Sequence, residues 1–295
     1  MSEELAEIVA SFQIQFGNDE ACVPYLFQIK WPDGYSCPRC GHRHAYTINT
    51  RRLPLYECRG CRHQSSLIAG TVMEGSRTEL YKWFTAIHLI SRTEIGTSAV
   101  QLSHAINVTY KTAWLMLHKI RHAMSLADHA MLLSGIVQVN AAVYGAPHNS
   151  TTQFHHQEHP VLVGAAIDDQ GQPTHFKIKV VPRTHLKERM ISTSGCKVFA
   201  DQYVARHART VEIVTGRFSR NRSKALLALA TDANEWINTT FHGVGRKHLQ
   251  AYMDEFAYRR NLSLYDKSIF PQLLQHCINS SSVTYSKLSS LVPAT

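Results

Sequence analysis

Hydrophobic positions recur with a helical period at both ends of the chain and with a period of two in its centre. Near the start, Leu5, Ile8, Val9 and Phe12 are spaced to face one way on a helix and predict an amphipathic opening within residues 1–30. From Glu79 the helical period returns, with Leu80, Trp83, Phe84, Ile87 and Ile90 at i, i+3, i+4, i+7 and i+10. Gly96 and Thr97 interrupt it, Ser98 to Ile106 predicts a second short helix, and Asn107 reads as the N-cap of a third from Val108 to Met124. That third helix turns Trp114, Leu117 and Met124 inward and carries Lys111, His118 and His122 on another face, with Lys119 and Arg121 nearby. Three short helices with a basic last one predict a helix-turn-helix; an ordinary linker with a solvated basic face is the alternative.

After Leu133 the period changes. Ile136, Gln138, Asn140, Ala142 and Tyr144 alternate with Val137, Val139, Ala141 and Val143, which predicts a strand buried on at least one face. Further strands are expected at VLVGAAID (Val161 to Asp168), FKIKVV (Phe176 to Val181, with Lys177 and Lys179 outward), KVFAD (Lys197 to Asp201) and VEIVT (Val211 to Thr215). The DDQGQP turn joins the second and third as a hairpin. Helical segments are expected at His185 to Ile191, Gln202 to His207, Lys224 to Ile237 and Arg246 to Arg260. The order β-β-β-α-β-α-β, followed by helices, predicts a mixed α/β fold, a mixed sheet flanked by helices in the order of the ribonuclease H-like fold. The resulting division is a helical segment (1–30), a metal ribbon (31–70), a helix-turn-helix-like segment (71–130), the sheet domain (131–262) and a packed tail (263–295).

The ribbon rests on two Cys-x-x-Cys pairs, Cys37 with Cys40 and Cys58 with Cys61, in the spacing of a four-thiolate zinc site. Gly41 and Gly60 stand where such knuckles need room or a positive φ. Two disulfides, or a redox Cys-x-x-Cys, are the competing readings; disulfides are opposed by three scattered cysteines, Cys22, Cys196 and Cys277, and by the lack of a secretory signal. A closed four-thiolate site has no open position for a substrate, so a structural Zn2+ is expected.

Charge changes what the ribbon implies. The chain carries a formal +9, unevenly spread. Residues 1–36 hold one Lys against six acids, residues 37–130 twelve bases against five acids, residues 131–215 eight against six, and residues 216–295 ten against five. Basic stretches flanking a more neutral centre suit a polyanion held at both ends. Within the ribbon Arg39, Arg43, His44, Arg51, Arg52, Arg59, Arg62 and His63 are interleaved with Tyr46 and Tyr56, a composition that favours phosphate contact and hence DNA as partner. No apolar run reaches the roughly 20 residues that cross a bilayer, so a soluble cytoplasmic protein with no membrane partner is expected. His148, His155, His156 and His159 could hold a second metal, but with 18 histidines in the chain chance clustering explains them better.

Taken together, several motifs resemble the insertion-sequence transposases of bacteria that join a zinc ribbon to a ribonuclease H-like DDE domain. They are Cys37-Pro-Arg-Cys40, Tyr56-x-Cys58-x-x-Cys61-Arg62-x-Gln64, Ala69-Gly70-Thr71-Val72, Trp83-Phe84, Thr112-Ala113-Trp114-x-Met116-Leu117-x-Lys119-Ile120-Arg121 and His242-Gly243-Val244-x-Arg246-Lys247-His248-Leu249-Gln250. The resemblance runs from about Trp31 to Asn261. It implies DNA transposition by metal-dependent strand transfer, DNA (element ends and target) as partner, and a homo-oligomer. It also implies Mg2+ or Mn2+ on acids from the first strand, the end of the fourth strand and a later helix. Two such cations need several anionic oxygens.

Position by position, the first acid falls on Asn140, a degenerate position followed by Ala141 where the family has Asp then Glu. The second matches Asp201. The third falls on Asp232, with Glu235 beside it. The resemblance and the charge together assign DNA contact to Arg39, Arg43, Arg51, Arg52, Arg62, Lys111, His118, Lys119, Arg121, Arg246 and Lys247. Three functions follow as alternatives. The first is a DNA-binding member with impaired catalysis; the second is an active Mg2+ enzyme with a substitute ligand such as Asp168; the third is a zinc-dependent protein-interaction module.

Overall fold

The computed structural model describes residues 3–92, 96–145, 153–216, 218–264 and 268–290. The first elements are α1 (Glu3–Phe16), α2 (Asp19–Lys30), β1 (Ala45–Ile48), β2 (Leu55–Cys58), β3 (Gln64–Ser66), α3 (Leu80–Ser91), α4 (Ala99–Ala105) and α5 (Tyr110–Ala130). Then follow β4 (Ile136–Tyr144), β5 (His159–Ile167), β6 (Pro173–Val180), β7 (Leu186–Lys187), β8 (Met190–Ile191), α6 (Thr193–Tyr203) and β9 (Thr210–Val214). Helices α7 (Lys224–Phe241), α8 (Arg246–Ser263), α9 (Ile269–Asn279) and α10 (Tyr285–Ser290) complete the chain. Two compact units result, each drawn from separate stretches: one from residues 1–92, 97–123 and 269–284, the other from 93–96, 124–268 and 285–295.

In the first unit an aromatic cluster joins α1, α3 and α9. Phe12 stacks on His88 at 4.1 Å, Phe16 lies 5.2 Å from Phe84, and Phe270 meets Phe12 edge-on at 5.2 Å. The α9 part of the tail is therefore packed, as its apolar content predicted, and it closes the core begun by the opening helices. Ser98 and Gln101 form a capping box at the start of α4. Asn107 is not the cap of the next helix. It sits in the turn with φ 50°, a left-handed conformation that Asn tolerates, and Thr109 Oγ1 accepts the Thr112 N–H instead.

The second unit is built on a four-stranded sheet of order β6-β5-β4-β9. β4 and β5 pair antiparallel from Ile136↔Ile167 to Tyr144↔His159, and β5 pairs antiparallel with β6. β4 and β9 run parallel from Ile136↔Thr210 to Asn140↔Val214. Alternation sends Val161, Val163, Phe176 and Ile178 to one face, where α7 and α8 cover them with Leu226, Ala233, Leu249 and Met253. Val137, Val139 and Leu162 point to the other face, where Phe199 of α6 packs.

Four expectations for this unit change. KVFAD is not a strand: it forms the second half of α6, begun when Ser192 Oγ accepts the Gly195 N–H, so VEIVT supplies the fourth strand. His185 to Ile191 holds the two-stranded β7–β8 pair rather than a helix, and the segment after Tyr203 leaves the helix at Val204. Lys177 and Lys179 are buried rather than outward. Lys179 Nζ lies 2.6 Å from both Asp128 and Asp254, and Lys177 Nζ lies 3.2 Å from Asp128.

Candidate functional site

The ribbon is a three-stranded antiparallel sheet, β1-β2-β3, whose ends carry two matched turns. In the first, Gly41 N–H donates to Cys37 O at 2.9 Å; in the second, Arg62 N–H donates to Cys58 O at 3.0 Å. Each donor has a positive φ, 73° at Gly41 and 57° at Arg62, so the second turn places an arginine where the first has a glycine. Gly60 supplies room instead, since a Cβ there would lie 3.3 Å from the His42 ring. The four sulfur atoms lie within 4.8 Å of one another, with Cys37 to Cys61 and Cys40 to Cys58 at 3.6 Å. Tetrahedral Zn–S bonds of about 2.3 Å require sulfurs roughly 3.8 Å apart, so the donor set fits a structural Zn2+. Among the described residues no histidine cluster meets the same criterion, and His148 lies outside them.

The ribbon's basic surface divides into free and committed side chains. Arg39, Arg43 and Arg51 are exposed, while Arg52 binds Asp19 at 2.6 Å and Arg62 binds Glu57 at 3.0 Å. Arg59 stacks over Tyr46 at 4.6 Å. Tyr56 is not part of that surface; it is buried with Phe27, Trp31 and Tyr35 and anchors the ribbon to α2. On α5, Lys111 is exposed at the first turn. His118, Lys119 and Arg121 are buried, which corrects their assignment to a DNA-facing surface. The helix is enclosed on more than one side: Ala113, Met116, Leu117 and Ile120 fill the core, and Lys119 Nζ donates to Ser282 Oγ at 3.2 Å.

In the second unit the carboxyl ends of the parallel pair β4 and β9 diverge. β9 ends at Val214, opposite Asn140, while β4 runs on to Tyr144. Beyond that point side chains replace the missing strand: Arg222 Nη2 donates to Ala141 O at 2.5 Å, and Asn234 Nδ2 to Val143 O at 3.1 Å. Asn140 is buried there, its Nδ2 donating to Ser223 O at 2.9 Å. Asn140 and Arg222 thus both spend donors on backbone oxygens, and a buried neutral amide brings no anionic oxygen for a hard cation.

Residues 17–64 match the transposase zinc-ribbon domain of the IS1595 type, and residues 132–261 match the ISXO2-like transposase domain of the same type. Between them the matches cover more than half of the chain. The chain belongs to the IS1595-type insertion-sequence transposases. It is also 31% identical, over 110 residues, to a protein of Halobacterium salinarum described as an uncharacterized protein in transposable element ISH50; the match covers 37% of each chain, so this chain spans about a third of that relative. No solved structure matches.

Placed on the sheet, the positions that correspond to the transposase acids do not converge. Asn140 points to the face covered by α7 and α8, as do its strand neighbours Ala142 and Tyr144. Asp201 is exposed on α6, which packs on the opposite face through Phe199. Asp232 and Glu235 are exposed on α7, and Asp232 lines a hollow with Trp236, Phe256 and Arg259. The α7 side chain that reaches β4 is Asn234. Asp168 holds its own turn, its Oδ1 accepting the N–H groups of Gln170 at 2.9 Å and Gln172 at 2.7 Å. Arg246 is half-buried and Lys247 exposed at the start of α8.

Two residues escaped the sequence reading. Arg222 lies in a loop with no motif around it. Glu212 is the one acid on the four strands of this sheet and shares Asn140's face by register; the period-two pattern of VEIVT held that signal.

Proposed function

We propose that this transposase-family chain binds DNA through its ribbon and helical segment, and that its metal-dependent strand transfer is lost or weakened. The observation that carries the second half is Asn140 itself, a buried amide whose Nδ2 is spent on Ser223 O, while the family's remaining acid positions lie exposed on α6 and α7. The DNA-facing residues in this reading are Arg39, Arg43 and Arg51 on the ribbon, Lys111 on α5 and Lys247 on α8. All are exposed, as contact with a phosphate backbone requires.

The test is strand cleavage with Mg2+ or Mn2+ on DNA carrying the element's ends, together with a footprint on the same DNA. The unaltered protein is expected to protect the ends and not to cleave them. Cleavage by the unaltered protein overturns the catalytic half, and absence of a footprint overturns the DNA half. Asn140→Asp alone is expected to leave cleavage unrestored, because it adds one carboxylate while Asp201 stays on α6, which packs on the opposite face of the sheet. A cleaving Asn140→Asp variant would show that the remaining acids suffice.

A further inference from the structure

The end of the sheet where β4 stops also gathers basic side chains, and these come from three separate segments. Tyr144, the last residue of β4, pairs in register with His159, the first of β5, and their rings stack at 6.1 Å. Tyr144 Oη accepts the Val244 N–H at 3.1 Å, which brings the start of α8 to the same place. Val181 N–H donates to Pro160 O at 2.8 Å, bringing the end of β6 and the following Arg183 there as well. His159 is 9% exposed, and among the described residues its ring takes part in no hydrogen bond. Burial, then Arg246, Arg183 and His156, hold its pKa below the ordinary histidine value. Burial and Arg183 act in the same direction on Arg246.

Among the described residues no acid pairs with this cluster. Glu158 precedes His159, but Arg189 grips both of its oxygens at 2.7 and 3.1 Å and the His155 N–H takes one of them at 2.8 Å. Neither Arg183 nor Arg246 pairs with an acid among the described residues. The 18-residue α8 starts at Gly245 without a side-chain cap, so its first N–H groups add positive potential at the same end. Arginines collected around a buried imidazole, with like charges for neighbours, lack an anion.

We propose that His159, Arg183 and Arg246, at the amino end of α8, form a subsite for one phosphodiester of the DNA backbone. The subsite rests on the reading of DNA as partner given above, and it deepens that reading by naming the residues that hold a strand at this end of the sheet. Arg183 and Arg246 supply charge-assisted hydrogen bonds, and His159 a ring N–H. Lys247, exposed one residue on, stands ready for a neighbouring phosphate.

The test compares the unaltered full chain with Arg183→Ala/Arg246→Ala. The control is Lys187→Ala/Lys197→Ala, which removes the same charge from exposed positions of the same unit. Fluorescence anisotropy on a 40-base-pair duplex is followed against NaCl concentration, and melting is followed with and without inorganic pyrophosphate. Circular dichroism first establishes that both variants fold. The arginine variant is expected to bind the duplex about tenfold more weakly near 0.1 M salt, with the slope of log K against log salt reduced by about 1. The control is expected to stay within about twofold of the unaltered chain, and pyrophosphate to raise the melting temperature of the unaltered chain and the control only. Equal duplex affinity and slope in the two variants overturn the subsite. If no protein binds duplex yet pyrophosphate still stabilises only the chains with both arginines, the DNA reading fails and the anion site stands. If pyrophosphate also makes no distinction, both fall.

Discussion

At the scale of single residues, burial rather than residue type decides what a charge does here. Lys177 and Lys179 alternate with Phe176 and Ile178 as outward residues of a half-buried strand would, and nothing in that alternation announces a second cover. The cover comes from far away in sequence: Asp128 from the last turns of α5 meets both lysines and Asp254 from α8 meets Lys179, with Tyr203 stacked 4.8 Å from Lys179. Burial alone would lower a lysine's pKa, and at Lys179 the paired acids more than reverse it. Such a network is sensitive to losing one member, because the partners left behind keep their desolvation cost without compensation. Asp128→Ala uncovers two buried ammonium groups and is expected to destabilise the second unit by about 3–5 kcal/mol in urea unfolding. Asp128→Asn, which keeps a hydrogen-bond acceptor, is expected to cost less. Equal stability of the alanine variant and the unaltered protein would mean that the lysines find water instead.

At the scale of elements, the sequence was most legible where period and turn chemistry agreed. β4, β5, β6 and β9 lie where alternation placed them, and α3, α4, α7 and α8 differ from expectation only at their ends. The failure at KVFAD has a physical cause. Val198 and Phe199 favour a strand locally, but the Ser192 cap starts a helix upstream, and the sheet has a place for Phe199 only in that helix. The place is Gly164 of β5: a Cβ there would lie 2.6 Å from Phe199 Cζ and 3.2 Å from Leu133 Cδ1. A glycine within a strand thus marked a close helix–sheet contact that period alone does not reveal. Gly164→Val is expected to cost about 1–3 kcal/mol by displacing the Phe199 ring. The same change with Phe199→Ala should recover part of that loss in a double-mutant cycle. Additive losses would place α6 elsewhere.

The same helix also governs how much of the candidate site could be read. Moving KVFAD from strand to helix takes Asp201 away from the end of the fourth strand, and with it the convergence that the family pattern implied. The cysteines needed no such context, because two Cys-x-x-Cys pairs fix a tetrahedron by local geometry alone. Arg222 and Asn234, which donate to β4 carbonyls, by contrast acquire meaning only from the point where β9 stops short of β4.

At the scale of the whole molecule, two kinds of cohesion hold the two units. The second has sheet faces buried under helices, with a hydrophobic cluster on each. The ribbon has strands of three and four residues, too short to stand alone, and its two turns are joined through the four thiolates. One side of it is also fastened by Trp31, Tyr35 and Tyr56 against Phe27 of α2. Removal of the ion by a chelator is therefore expected to act locally. Hydrogen exchange of the Gly41 and Arg62 amides, which close the two turns, should accelerate by orders of magnitude. Amides of β4 and β5 should keep their protection, since their core contains no thiolate ligand. DNA affinity should fall together with the turns, because Arg39 and Arg43 are carried on or beside them. A chelator that leaves the turn amides protected would mean that the aromatic anchor alone shapes the ribbon; one that exposes β4 and β5 as well would mean that the sheet depends on the metal.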